Sequence, residues 1–148
     1  MHKSLIEKIA LFYYFCFLDE SKAQYHTEFT VKKILKTIDS RPKSLKDADL
    51  VKITDSVMQK MSHKLKPTNL AYSTDFIQLP QNSDWGPWFE FRKIANDLES
   101  RALIYSKILK INDEDIAKGL GIPVGTVRYR VGNGLKTIGQ ICAGGKST

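Results

Sequence analysis

The chain has 148 residues, enough for one ordinary domain or two small ones, and its 42% hydrophobic content excludes a grossly disordered protein. The net charge of +7 and the pI of about 9.4 favour a polyanionic partner such as nucleic acid. Residues 1–66 carry thirteen Lys/Arg against eight acids, residues 67–98 carry two against four, and residues 99–148 carry eight against four. This distribution indicates two basic modules joined by a mildly acidic segment.

The cysteines and histidines give no sign of a metal site or an enzyme. Cys16 and Cys142 are too few for a disulfide framework, which favours a reducing compartment such as the cytoplasm. His2, His26 and His63 lack metal-ligand spacing. The sequence also lacks a glycine-rich phosphate loop, a serine nucleophile elbow and a suitably spaced His–acid pair. We therefore expect no catalytic activity, no metal, no cofactor and no small-molecule substrate.

The first predicted helix, Ser4 to Leu18, contains the apolar run I-A-L-F-Y-Y-F-C-F-L. Lysines before such a run are typical of a secretory signal, but Glu7 precedes the run and Asp19 and Glu20 follow it in place of small residues. Ten apolar residues are also too few to cross a bilayer. The run therefore predicts a buried helix and no membrane association.

Two further helices are predicted before residue 66. One covers Ser21 to Ile38 and ends before Pro42, because proline cannot continue the helical hydrogen-bond ladder. The other covers Asp49 to Leu65, in which apolar residues recur at helical spacing: Leu50, Ile53, Val57, Met61 and Leu65. Residues 1–66 are therefore predicted to form an N-terminal three-helix unit.

The second half of the chain is predicted to form a separate domain. Residues 67–87 are expected to be a linker, because Pro67, Pro80 and Pro87 interrupt any regular pattern. Helical spacing resumes from Trp88 to Leu98 and again from Glu99 to Lys110, and two more helices follow. Residues 88–142 are therefore expected to form a C-terminal four-helix domain, and the predicted fold class is all-α.

The segment Asp113 to Gly132 has the pattern of a helix-turn-helix. Its first helix buries Ile116, Ala117 and Leu120, and Gly121 can adopt the positive φ that the turn requires. The second helix, which begins near Pro123, is predicted to face the core with Val124, Val127, Val131, Leu135 and Ile138. Its opposite face carries Thr126, Tyr129, Arg130, Asn133 and Lys136. Such a helix has the apolar inner face and polar, cationic outer face that a major-groove reader needs.

The string G-I-P-V-G-T-V-R-Y-R at residues 121–130 resembles the DNA-recognition segment of bacterial sigma factors, especially the extracytoplasmic-function type. Asp115 takes the place of the usual acid, and Arg128 that of a lysine. The resemblance covers about residues 88–140, with only a loose match in residues 1–66, which would form a degenerate polymerase-binding domain. It implies a helix-turn-helix that binds a promoter element of the −35 type in double-stranded DNA, and contact with core RNA polymerase.

Two departures from the family pattern affect the expected activity. No helix carries the Trp- and Arg-rich pattern with which the family melts promoter DNA, so the sequence gives no support for promoter melting. Gly132 and Gly134 stand where the family usually has Arg, His or Ala, and each costs roughly 1 kcal/mol of helix stability relative to alanine. We therefore expect the second helix to fray after Val131 and free DNA binding to be weak.

Position on the outer face separates the expected roles in DNA binding. Asn133 can pair with adenine, and Arg130 with guanine or a phosphate. Tyr129 can contact a thymine methyl group or a phosphate, whereas Arg128, nearer the core edge, suits a backbone phosphate. Arg101, in the preceding helix, is predicted either to contact a phosphate or to be an ordinary surface arginine. The full predicted set is Thr126, Arg128, Tyr129, Arg130, Asn133, Lys136 and Arg101.

A second hypothesis is a non-melting adaptor or decoy that keeps the sigma fold and binds polymerase or an anti-sigma factor by protein–protein contacts. The missing melting helix and the two glycines favour this hypothesis, whereas Arg128, Tyr129 and Arg130 favour DNA binding. A stand-alone dimeric repressor is a third hypothesis, which no particular residue supports.

Overall fold

The chain folds into packed helices. The computed structural model describes residues 2–37, 45–61 and 85–146, and within these ranges all regular structure is helical. The all-α fold class predicted from the sequence is therefore confirmed. The helices are α1 (His2–Phe17), α2 (Glu20–Thr37), α3 (Asp47–Met61), α4 (Gly86–Ile94), α5 (Asp97–Leu103), α6 (Asp113–Leu120) and α7 (Val124–Lys146), and α5 continues as a π-helical segment, Ile104–Ile108.

The break between α4 and α5 lies earlier than the sequence predicts. The predicted helix runs to Leu98, whereas α4 ends at Ile94 and a new helix begins after Asn96. The side-chain oxygen of Asn96 accepts a hydrogen bond from the Glu99 N–H at 2.8 Å. This local cap satisfies a backbone donor that would otherwise have no partner at the start of α5, and it fixes the break.

The second half of α1 lies in the centre of the core. Every side chain from Phe12 to Leu18 is at most 2% exposed, so the prediction of a buried helix is confirmed for this run. α2 packs along α1, and the π-helical segment packs beside it. There the rings of Phe12 and Tyr105 are stacked with their centroids 4.8 Å apart.

α4 is attached to the C-terminal end of α1 by side-chain hydrogen bonds. Trp88 Nε1 donates to the Phe15 carbonyl oxygen at 3.3 Å, and Arg92 Nη2 donates to the Cys16 carbonyl oxygen at 2.7 Å. Both carbonyls belong to the last turn of α1, which has no partners for them within the helix. The guanidinium charge also suits the negative end of the helix dipole.

α3 packs against α6 and reaches α5 through side chains. Two buried polar contacts join α3 to α5 and to the π-helical segment. Thr54 Oγ1 lies 2.8 Å from Tyr105 Oη, and Arg101 Nε donates to Asp55 Oδ1 at 2.9 Å. Residues 45–61 thus share one core with the C-terminal half. The predicted domain boundaries stay a prediction, since most of the predicted linker lies outside the described residues.

Two glycines allow α6 and α7 to approach their neighbours closely. A Cβ on Gly119 would lie 2.6 Å from both the Ala48 carbonyl oxygen and Val51 Cβ in α3. A Cβ on Gly134 would lie 2.6 Å from Leu103 Cδ1 in α5. Real Cβ contacts are longer, so residue 119 must be glycine if α6 is to keep its separation from α3, whereas a Cβ at residue 134 would require the Leu103 side chain to move. α6 therefore rests on α3, and α7 rests on α5.

α7 is one continuous helix from Val124 to Lys146. The predicted fraying after Val131 is therefore wrong, although Gly132 and Gly134 both lie within the helix. Ile138 and Ile141, beyond the glycines, pack against the core. Tertiary packing of this kind stabilises a helix beyond its intrinsic propensity.

We predict that Gly119→Ala destabilises the protein by about 1–3 kcal/mol, the usual cost of adding atoms to a packed core. The added Cβ would meet a backbone oxygen of α3, which cannot rotate away as a flexible side chain would. Gly132→Ala is the matched control, because nothing lies within 4 Å of its added Cβ, and it should gain up to about 1 kcal/mol. Urea unfolding measures both changes, and equal shifts in the two variants would contradict the packing role of Gly119.

Candidate nucleic-acid interface

The turn between α6 and α7 has the backbone geometry that the sequence predicts. Gly121 has φ 70° and ψ 36°, in the left-handed region, and its N–H donates to the Ala117 carbonyl oxygen at 2.8 Å. The N–H of Ile122 donates to the same oxygen at 3.1 Å. The carbonyl of Pro123 then accepts from the Thr126 N–H at 3.0 Å, which closes the first turn of α7. A glycine in the left-handed region thus ends α6 without Cβ strain.

The inner face of α7 is apolar as predicted, except at one position. Its buried or half-buried members are Val124, Val127, Val131 and Ile138. Leu135 is 44% exposed, so its predicted place in the core is wrong. Gly134 makes the contact with α5 instead, because the absence of a side chain lets Leu103 approach the backbone there.

Five of the predicted DNA-binding residues lie along one outer arc of α7: Thr126, Tyr129, Arg130, Asn133 and Lys136. We call these five residues the outer arc. Tyr129 is 67% exposed, and Lys136 is exposed as well. The other three members are half-buried. Gly125 and Gly132 are also exposed, so part of the surface beside Tyr129 is bare helix backbone.

Arg128 lies at one edge of α7 and pairs with the first turn of α6. Its Nε donates to Asp113 Oδ2 at 3.2 Å, and its Nη2 donates to Glu114 Oε2 at 3.4 Å. The Arg128 side chain is 59% exposed, so these ion pairs contribute little to stability in water. A DNA phosphate at this position would exchange with two carboxylates.

Asn133 also has an acidic partner within the protein. Its Nδ2 donates to Glu99 Oε2 in α5 at 3.2 Å. This contact fixes the amide at the edge of the outer arc and uses one of its donors. The amide keeps a second N–H and its carbonyl oxygen, so it still has one donor and one acceptor to offer adenine.

Arg101 lies beneath the surface rather than on the outer arc. It is 5% exposed, and Asp55, which accepts from its Nε, is 6% exposed. The second carboxylate oxygen of Asp55 accepts from Gln59 Nε2 at 2.7 Å. Sequence patterns did not identify Asp55 or Gln59, because α3 is brought to α5 only by the tertiary fold.

A small cavity of about 120 Å³ lies where α3, α5, the turn after α6 and α7 meet. It is lined by Asp55, Gln59, Leu98, Arg101, Leu120, Ile122 and Arg130. The cavity brings Arg130 of the outer arc beside the buried Arg101–Asp55 pair. No short motif predicts it, since its lining comes from four separate segments of the chain.

The buried titratable groups of α1 and α2 are held in neutral form. Burial raises the pKa of the Cys16 thiol to about 12, so the thiol stays protonated at neutral pH and is not a nucleophile. Burial also favours the neutral form of His26, in this case by lowering its pKa; its Nδ1 lies 2.7 Å from the Lys22 carbonyl oxygen.

Among the described side chains, no group of His, Cys, Asp and Glu is arranged to hold a metal ion. None of the described helices combines the length and apolar character needed to span a bilayer.

Comparison with known proteins gives no assignment. No family model, no curated protein and no solved structure matches the chain. The interpretation of the site therefore rests on its own residues, and the resemblance of residues 121–130 to the sigma-factor segment stays a prediction.

We predict that Arg101→Met costs about 3–5 kcal/mol of unfolding free energy, because it leaves the Asp55 carboxylate buried without its cation. The double variant Asp55→Leu, Arg101→Met removes both charges and should recover most of that loss. Urea unfolding of the wild type, both single variants and the double variant gives the coupling energy directly. Additive effects of the two substitutions would show that the pair is not coupled.

Proposed function

We propose that this protein is a sigma-like transcription regulator that binds double-stranded promoter DNA of the −35 type through α6 and α7. In this proposal the two helices form a helix-turn-helix within a C-terminal four-helix domain, α4 to α7, and α1 to α3 form the N-terminal unit that contacts RNA polymerase. The observation that carries the proposal is the outer arc of α7. It presents hydrogen-bonding and cationic side chains on a helix whose other face is anchored in the core.

The shape of α7 supports insertion into a groove. The major groove of B-DNA admits one α-helix, and a slim helix can approach the bases more closely. Gly125 and Gly132 leave the backbone bare on either side of Tyr129. A phenol that projects between two glycines reaches farther into a groove than one flanked by long side chains.

The polar residues divide by the kind of contact that they can make. Asn133 has the donor and the acceptor that recognise an adenine edge, Arg130 can contact guanine or a phosphate, and Thr126 and Tyr129 can contact bases or phosphates. Arg128, at the edge of α7, suits a phosphate, which contributes affinity without sequence information. The net charge of +7 favours the approach of DNA as a whole.

The acidic partners of Arg128 and Asn133 support an expectation of weak binding by the free protein. Asp113, Glu114 and Glu99 repel phosphates and take up part of the donor groups that DNA would use. Binding to RNA polymerase at the same promoter would offset this cost. Once the regulator is held by polymerase, its contact with the DNA becomes effectively intramolecular. The proposed regulator therefore acts on promoters together with polymerase.

We predict that Tyr129→Ala, Asn133→Ala lowers the preference for a target duplex over random duplex by about tenfold or more. Each lost base contact is worth about 1–3 kcal/mol of discrimination. The target is obtained by selection from a random-sequence duplex library with the wild type in the presence of core polymerase. Fluorescence anisotropy then measures both affinities at several salt concentrations.

Gln140→Ala serves as the control, because Gln140 is exposed on the same helix but lies outside the predicted contacts. Arg128→Gln should weaken binding to both duplexes equally and lower the slope of log K against log salt by roughly one. A library that yields no enriched sequence, together with an unchanged double variant, would refute DNA reading by α7.

A second candidate function, an adaptor or decoy, is favoured by the surface of α2. Tyr25, Phe29 and Leu35 are 61%, 47% and 41% exposed. Phe29 and Leu35 line a groove of about 540 Å³ together with Lys32, Lys33 and Lys36. An apolar groove with a lysine rim suits an acidic, amphipathic protein segment of polymerase or of an anti-sigma factor.

For this candidate, we predict that Phe29→Ser, Leu35→Ser weakens binding to purified core polymerase by at least about tenfold, the effect of losing an interface anchor. Tyr25→Ser is the control, since Tyr25 is exposed on α2 but does not line the groove. The DNA affinity of both variants should be unchanged. Equal retention of the wild type and the double variant on immobilised polymerase would exclude the groove as the contact.

A further inference from the structure

The cavity between α3, α5 and α7 has more positive charge than its partners neutralise. Two arginines, Arg101 and Arg130, line it together with one carboxylate, that of Asp55. Both oxygens of Asp55 are already used, one by Arg101 Nε and the other by Gln59 Nε2. Within the described part of the chain, Arg130 forms no hydrogen bond or ion pair. The cavity therefore carries one uncompensated cation.

Arg101 also has unused donor capacity. Its Nη1 is buried and has no hydrogen-bond partner, although its Nε is bonded at 2.9 Å. Buried donors are almost always satisfied, so an orphaned guanidinium nitrogen requires an explanation. An oxyanion would satisfy it, since the planar fork of a guanidinium matches the oxygens of phosphate.

We propose that this cavity binds a phosphate group, with Arg130 and Arg101 as its ligands. The source that we infer is a backbone phosphate of the bound DNA, so this part of the inference rests on the proposed function. Arg130 belongs to the outer arc, and the phosphates of a duplex line the edges of the groove that such an arc would enter. The volume of about 120 Å³ suits a phosphate group rather than a whole nucleotide.

The position of the cavity gives the phosphate a structural role. Its lining includes residues of α3, α5, the turn after α6 and α7. A phosphate held there would connect the DNA to the buried ion pair between α3 and α5. The N-terminal helices would then contribute to the DNA-binding surface through Asp55 and Gln59.

The first experiment uses inorganic phosphate and the full chain. Thermal unfolding of the wild type is followed with increasing phosphate against chloride and acetate at constant ionic strength. The melting temperature should rise with phosphate, and above the dissociation constant it should rise with the logarithm of the phosphate concentration, because a ligand that binds only the native state stabilises it. Arg130→Gln should abolish this phosphate-specific rise, whereas Lys136→Gln, which removes the same charge from the exposed part of α7, should retain it.

Gln59→Glu provides a variant that keeps both arginines. Gln59 is exposed apart from its contact with Asp55, so a carboxylate there adds a negative charge at the cavity and can turn to solvent. Because the substitution removes the hydrogen bond to Asp55, the phosphate effect is measured relative to the variant's own melting temperature. It should weaken phosphate binding by about tenfold or more, the effect expected when a like charge is placed beside a bound anion. No phosphate-specific rise in the melting temperature of the wild type, or an equal rise in Arg130→Gln, would overturn the proposal. An equal effect of acetate would show that the cavity does not select phosphate and would overturn it as well.

The second experiment separates the two sources of phosphate. If DNA supplies the group, inorganic phosphate should compete with the selected duplex in the wild type and not in Arg130→Gln. The salt slope of Arg130→Gln should also fall by roughly one. Saturable phosphate binding without any DNA binding would refute the proposed function and keep the cavity as a site for a free phosphate group. Specific DNA binding without an Arg130-dependent phosphate effect would refute the cavity and keep the proposed function.

Discussion

The orientation of the α6–α7 corner depends on two buried polar contacts, one between α3 and α5 and one between α3 and the π-helical segment. The Thr54–Tyr105 hydrogen bond and the Asp55–Arg101 ion pair are both excluded from water. A buried donor or charge without its partner is strongly unfavourable, so α3 and α5 can adopt few relative positions. α6 then rests on α3 at Gly119, and α7 rests on α5. The corner therefore takes its orientation from helices that precede it in the chain, rather than from the turn alone.

On the exposed side of this corner, carboxylates of the protein would compete with an anionic ligand for the Arg128 and Asn133 side chains. Arg128 pairs with Asp113 and Glu114, and Asn133 bonds Glu99. Exposed pairs of this kind are worth at most about 1 kcal/mol each, so a phosphate or a base edge can replace them at low cost. In the free protein, these contacts limit the rotamers of the Arg128 and Asn133 side chains. The same carboxylates thus lower the affinity for DNA and pre-organise the groups that would bind it.

The features that depend on near neighbours in the chain could be predicted from the sequence. The helical periods gave the all-α class, and the turn glycine, Gly121, has the positive φ that the pattern requires. The break at Asn96 could have been predicted locally, because an Asn three residues before a Glu is typical of the start of a helix. The apolar spacing instead predicted that the helix continues to Leu98. The other differences involve distant residues. Leu135 is displaced from the core because α5 packs against Gly134, and the partner of Arg101 lies on α3, which no periodicity reveals. Five of the seven predicted DNA-binding residues share one arc, whereas the cavity next to it had no sequence signal at all.

Arg130 differs from Arg128 in a way that bears on how a duplex would first be held. A phosphate at Arg128 must displace two carboxylates, whereas Arg130 has no hydrogen-bond or ion-pair partner among the described residues and gives up no such contact when a phosphate binds. A phosphate at Arg130 would also approach Arg101 and therefore the ion pair with Asp55 that holds α3 against α5. Binding at this point would stabilise the packing of the N-terminal helices, and that packing would in turn favour binding, since the coupling between two such events is reciprocal. Replacing a buried ion pair by apolar side chains of the same volume is often neutral or stabilising. The Arg101–Asp55 pair lies beside Arg130, where Arg101 would help to bind a phosphate. This role supplies a reason for an ion pair, rather than apolar contacts, between α3 and α5.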